Sequence, residues 1–131
     1  MTTPQLLAEA KTIAVVGLSS DPTRASHGVS RYMQRAGYRI IPVNPKETEV
    51  LGEKAYASLL DIPFPVDIVN VFRRPNRVGE VVKDTLAKGG VKAIWMQPGV
   101  VNEEAAKAAE DAGLFVVMDQ CIMVEHMSSR P

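Results

Sequence analysis

Four short segments of this chain carry residue types suited to holding an anion. The first is Gly17-Leu18-Ser19-Ser20, which runs on through Asp21-Pro22-Thr23-Arg24-Ala25 to Ser26 and His27. Ser19, Ser20 and Ser26 supply hydroxyl donors, and Arg24 supplies a guanidinium able to grip a phosphate through two bonds. Gly17 lacks the Cβ that would keep a ligand off the backbone. A larger residue there is expected to block the ligand and leave the fold largely intact. The second segment, Val43-Asn44-Pro45-Lys46, sets an amide beside an ammonium. Phe72-Arg73-Arg74-Pro75 adds two guanidinium groups, and Gln97-Pro98-Gly99 exposes an amide and bare backbone. Taken singly, each has an ordinary reading as a connecting loop, a solvated charge pair or a turn. Their placement along the chain gives them weight.

Each of the four segments closes an apolar run. Thr12-Ile13-Ala14-Val15-Val16 precedes the first, and the runs 38–43, 66–72 and 92–96 precede the others. Near-continuous Val, Ile and Ala over four to seven residues describes a parallel strand buried on both faces. Between the runs the period becomes helical. Val29, Tyr32, Met33 and Ala36 fall at i, i+3, i+4 and i+7 before Gly37, and Val78, Val81, Val82, Thr85 and Leu86 share a face before Gly89. Thr3 with Pro4, Asn76 and Asn102 read as helix starts. A fifth run covers 114–118, the stretch 46–65 is the least regular, and the tail from Asp119 shows no clear period.

Alternating strands and helices predict an α/β chain with a Rossmann-type doubly wound parallel five-stranded sheet. Numbering those runs one to five, the expected order is 3-2-1-4-5. Residues 1–131 are expected to form one domain. Ligands of such sheets lie beyond the carboxyl ends of the strands, so all four segments converge on one crevice.

Charge narrows the ligand. Lys and Arg total 15, as do Asp and Glu, so no overall field recruits nucleic acid or an anionic membrane. The first eleven residues lack a signal-peptide pattern, and no apolar run approaches the roughly 20 residues of a membrane helix. The single cysteine, Cys121, suits a reducing cytoplasm, which is the expected location. The first loop is not the G-x-G-x-x-G fingerprint of NAD sites, since Ser19 stands where the second glycine would be. No carboxylate closes the second strand before Glu47, whereas Asn44 and Lys46 suit a phosphorylated ribose. That leaves coenzyme A, with its 3′-phosphate, and NADP, with its 2′-phosphate.

The segments Gly17-Leu18-Ser19, Pro22-x-Arg24-x-Ser26-His27, Pro42-Val43-Asn44-Pro45, Asp67-Ile68-Val69-Asn70-Val71-Phe72-Arg73, Trp95-Met96-Gln97-Pro98-Gly99 and Val117-Met118-Asp119-x-Cys121 occur together and in order. In these the chain resembles the YccU-like small CoA-binding proteins, which are similar to the CoA-binding domain of the succinyl-CoA synthetase alpha subunit. The resemblance spans nearly the whole chain and implies CoA or an acyl-CoA as the small-molecule ligand. It puts Gly17, Leu18 and Ser19 against the pyrophosphate, and Val43 to Lys46 beside the adenosine and its phosphates. It puts Phe72, Arg73 and Pro75 along the pantetheine and adenine path, with Gln97 to Gly99 closing the edge. The synthetase's phosphorylated histidine belongs to a second domain, for which this chain has no room, so ligase chemistry is not implied.

Other constellations carry less. Cys121 lies close in sequence to Asp119, Glu125 and His126, but a reactive thiol needs a base in contact and an electropositive setting. It reads as a buried or incidental thiol. His27 and His126 are too few and too far apart for a zinc site. His27, opening a helix, reads as a packing residue or a neutral hydrogen-bond donor to the ligand. Asp67 and Asn70 read as strand-end hydrogen bonders. With no nucleophile–base pair or metal set, the expected role is a carrier, sensor or regulatory module. The alternative is an NADP-linked oxidoreductase or an acyl-CoA-processing enzyme.

Overall fold

The structure, a computed structural model, describes residues 1–129. Its main sheet is built from β1 (Thr12–Val16), β2 (Arg39–Val43), β5 (Ile68–Val71), β6 (Ala93–Met96) and β7 (Phe115–Met118). A two-stranded hairpin of β3 (Glu49–Val50) and β4 (Glu53–Lys54) falls between β2 and β5. The helices are α1 (Thr3–Glu9), α2 (Ala25–Arg35), α3 (Val78–Lys88), α4 (Glu103–Asp111) and α5 (Ile122–Ser129). Short 3-10 turns at Leu59–Asp61 and Pro75–Arg77 complete the described elements.

All neighbouring strands of the main sheet run parallel. Alternate strand residues feed two separate cores. Ile13, Val15, Ile40, Ile68 and Trp95 pack beneath α1, α2 and α5. Ala14, Val16, Ile41, Val69, Val71, Ile94 and Met96 lie with the buried faces of α3 and α4. Burial on both faces is why these strands are apolar throughout. The doubly wound α/β reading therefore holds.

The strand order differs from the expected one. The sheet runs β2-β1-β5-β6-β7, so the third of its strands lies on the far side of β1 from β2. Pro42 supplies one physical reason. Its carbonyl points away from β1 and accepts the Tyr56 N–H (3.0 Å), so the N–H that proline lacks would have faced outward. A further strand there would lose a ladder bond, which suits β2 to an edge. Asp67 supplies the other. Its carboxylate accepts the N–H groups of Lys11 (2.8 Å) and Thr12 (3.0 Å), clamping the start of β5 to the start of β1. Lys92, entering β6, adds an ion pair at 3.6 Å.

Several boundaries also shift. The cap of α1 is Thr2 rather than Thr3, with a reciprocal box in which Gln5 N–H donates to Thr2 Oγ1 and Thr2 N–H to Gln5 Oε1. Asn76 sits inside a 3-10 turn that runs straight into α3, so it caps nothing there. Asn102 does cap α4, its Oδ1 accepting the Ala105 N–H at 2.9 Å. No helix among the described residues is long and apolar enough to cross a membrane.

Candidate functional site

The observed order puts the switch point between β1 and β5, and the loops leaving those strands are packed backbone to backbone. Gly17 adopts φ 91°, and a Cβ on it would lie 2.2 Å from the Phe72 carbonyl oxygen. Its N–H donates to the Val43 carbonyl (2.8 Å), so the glycine joins three strand exits. Its first requirement is therefore the close approach of Phe72, and the expectation that a larger residue would spare the fold is corrected. Beyond it the loop is tied by its own side chains. Ser19 N–H donates to Ser26 Oγ (3.1 Å) and Asp21 N–H to Ser19 Oγ (3.0 Å). Asp21 accepts both the N–H and the hydroxyl of Thr23, which with the nearby Arg24 and His27 hold its carboxyl below the ordinary range. This folding aims the start of α2 at the crevice. Arg24 is the cap residue, and no side chain caps that first turn. An uncapped helix start presents N–H groups and a positive dipole end to an anion.

The crevice above these loops has a volume of about 740 Å³. Gly17, Ser19, Arg24 and Ser26 form one wall, with Asn44, Pro45 and Lys46 beside them. Phe72, Arg73, Arg74, Gln97 and Pro98 continue it along the sheet. Arg24, Lys46, Arg73 and Arg74 take part in none of the ion pairs found among the described residues. A chain of balanced charge thus gathers four unpaired cations on one edge. Asn44 organises this end rather than reaching outward. Its Nδ2 donates to the Leu18 carbonyl (3.1 Å) and its Oδ1 accepts the Lys46 N–H (3.0 Å).

Six of the anticipated residues stand off the crevice wall. The Leu18 side chain is fully buried in the core under α2, and Val43 is buried in the opposite core. Ser20 N–H is taken by Glu47 Oε2 (2.8 Å), so the first carboxylate after β2 reaches back onto the β1 loop. Gly99 N–H donates to Asp119 Oδ1 (2.7 Å), and His27 and Pro75 lie outside the lining. Asp67 and Asn70 are strand hydrogen bonders, as read from the sequence.

Four lining residues escaped the sequence reading as ligand contacts: Ala25, Val29, Val100 and Cys121. Val29 was legible as one helical turn beyond Ser26. Cys121 carries no such signal, because nothing in its spacing reveals that the end of β7 abuts the end of β6. Trp95 Nε1–H donates to the Gln120 carbonyl (2.8 Å) and Gln120 N–H to the Met96 carbonyl (3.3 Å), fixing the segment that carries the thiol against β6. Among the described residues no group of three or more His, Cys, Asp or Glu is placed to hold a metal ion.

A doubly wound sheet with a cation-lined crevice at its switch point is the architecture of the Rossmann-like nucleotide- and cofactor-binding proteins. Within that class, the chain belongs to the CoA binding domain family, whose sequence model matches residues 11–127. It is 50% identical to an uncharacterized protein, YneT, of Bacillus subtilis (strain 168), over 93% of this chain and 90% of that one. It is 37% identical to the alpha subunit of the ADP-forming acetate–CoA ligase II of Pyrococcus furiosus, over 84% of this chain but only 26% of the subunit. A solved structure of a Thermus thermophilus protein superposes with a TM-score of 0.93 at 43% identity, covering 99% of this chain and all of that one. The chain thus spans about a quarter of the ligase subunit and nearly all of its small relatives.

Proposed function

We propose that this chain is a single-domain cytoplasmic module that binds coenzyme A, or an acyl-CoA, without catalysing a reaction of its own. The carrying observation is the order of chemistry along the strand exits. Lys46 follows β2, Arg24 follows β1, and Arg73 and Arg74 follow β5, so one half of the edge is cationic. Gln97 follows β6 and Cys121 follows β7, so the crevice lining of the other half carries no charge, the Asp119 carboxylate there being bound by Gly99 N–H. At about 4.8 Å per strand the edge spans roughly 19 Å. CoA has the same polarity, with three phosphate groups on the adenosine and a neutral arm of two amides ending in a thiol. The pyrophosphate fits the α2 start, the ribose phosphate fits Lys46, and the pantetheine arm runs toward Gln97.

Absence of turnover is supported by what lines the crevice. Among the described residues, no His, Asp or Glu lines the crevice to act as a general base on a bound thioester. The ligase relatives are several times longer, and their chemistry is not carried over with this part of them. Titration calorimetry with CoA, acetyl-CoA and NADP tests the reading, together with an assay for free thiol released from acetyl-CoA. Saturable CoA binding with no thioester loss is expected. Tight NADP binding without CoA binding, or hydrolysis at ordinary enzyme rates, would overturn it.

A further inference from the structure

Gln97, on the crevice wall, carries a buried polar atom that lacks a partner. It is 2% exposed, and its Nε2 is committed to Asn70 Oδ1 at 2.7 Å. Its Oε1 is buried and has no hydrogen-bond partner, and Gln97 is one of the residues lining the crevice. A buried carbonyl oxygen left unpaired is destabilising unless a donor reaches it. Because Nε2 is already held, the vacant position accepts a donor such as an amide N–H. Cys121, a free, half-buried thiol, lines the same crevice. The two bonds of Gln120 to β6 hold that thiol in place, so it does not ride on a loose tail. A hydrogen-bond acceptor for an amide and a thiol therefore line one crevice beyond the neighbouring exits of β6 and β7. In the pantetheine arm the terminal sulfur lies two methylene groups beyond an amide nitrogen, so one arm carries a partner for each.

We propose that Cys121 is a site of reversible covalent capture, forming a mixed disulfide with the pantetheine sulfur while Gln97 Oε1 accepts the adjacent amide N–H. The inference rests on the CoA-binding reading above. The oxidant is a CoA disulfide. The Cys121 thiolate, its proton lost to solvent, attacks one sulfur of that disulfide. The Sγ–S bond forms as the reagent's S–S bond breaks, and the second CoA leaves as a thiolate carrying the electron pair. No net electrons are gained or lost, and any small thiol reverses the step. The module would then hold CoA by non-covalent contacts under reducing conditions and retain it covalently when CoA disulfide accumulates.

Intact-mass spectrometry of the purified protein, incubated with either CoA disulfide or glutathione disulfide, tests this. A bound reagent presents its disulfide at an effective concentration far above micromolar bulk, so CoA disulfide should react at least about tenfold faster than glutathione disulfide. Adenosine 3′,5′-bisphosphate, which lacks a thiol, should slow the CoA reaction by occupying the cationic end and leave the glutathione reaction unchanged. Gln97→Met, which keeps the side chain's length and removes the acceptor without adding a charge near the thiolate, should remove most of the selectivity. Calorimetry with reduced CoA is run in parallel. If reduced CoA binds but the two disulfides react at equal rates, Cys121 is an incidental thiol and the capture inference falls while the binding reading stands. If reduced CoA does not bind and no selectivity appears, both fall.

Discussion

A Cβ at residue 17 would lie 2.2 Å from the Phe72 carbonyl oxygen, and the backbone there is at φ 91°. Gly17→Ala should therefore destabilise the fold by about 1–3 kcal/mol, the usual cost of such strain, before any ligand is considered. Urea unfolding of the ligand-free protein checks this, and an unchanged midpoint would return the glycine to a purely ligand-facing role. Lys46 is the opposite kind of residue. Its backbone is held by Asn44, while its ammonium takes part in no ion pair found among the described residues. Lys46→Ala should weaken CoA by roughly tenfold, the worth of a charge-assisted contact reduced by exposure, and leave dephospho-CoA nearly unchanged. Calorimetry of both ligands on both proteins completes the cycle. Equal losses would move Lys46 to the pyrophosphate or the scaffold, and no loss would pass the ribose phosphate to one of the three arginines.

At the scale of elements, the sheet is stitched at its amino end by one carboxylate. Burial pushes the Asp67 carboxyl up, but the N–H groups of Lys11 and Thr12 and the Lys92 ammonium outweigh it and hold it below the ordinary value of 3.8. A carboxyl lowered in the folded state contributes stability above its unfolded value and loses it as pH falls through the folded one. Asp67→Asn should accordingly be less stable than the wild type at neutral pH, by about 1.5–3 kcal/mol for bonds to a charged group, discounted for partial exposure. The gap should close as the solution is acidified below 3.8. Urea midpoints of the two proteins across that range measure it, and a gap that persists in strong acid would mean geometry, not charge, does the clamping. The same clamp helps explain why β5 enters beside β1 although 24 residues (44–67) separate β2 from it. That connection contains a hairpin whose turn, Leu51-Gly52, has both residues at positive φ. Leucine is not a turn-former, so the hairpin left little trace in the sequence.

Across the whole molecule, balanced composition and a locally cationic edge coexist, because Arg24, Lys46, Arg73 and Arg74 come from three different strand exits. Exposed cations of this kind act through a screened field. CoA affinity should fall steadily with added salt, while binding of pantetheine alone, lacking phosphate, should hardly respond. Calorimetry at low and high ionic strength decides it. A salt-insensitive CoA affinity would place the phosphates away from this edge.

Much of this architecture was written locally. Uninterrupted Val and Ile runs demand burial on two faces, and helical periods between them demand covering layers, so a doubly wound parallel sheet followed from pattern alone. Ligand-competent loops followed too, because such loops leave the carboxyl ends of strands by construction. What pattern could not decide was which strand lies beside which. That choice rests on Pro42 turning its missing donor outward and on Asp67 reaching across to Lys11 and Thr12, contacts between residues up to 56 apart. It in turn separated side chains that look alike in sequence. Ser19 borders the crevice while Ser20 is bound to Glu47, Leu18 turns into the core, and Cys121 is brought to the same crevice as Gln97 by the pairing of β6 with β7. Residue type and period determine what each segment must bury. Only tertiary packing determines which polar groups are consumed by the scaffold and which remain for a ligand.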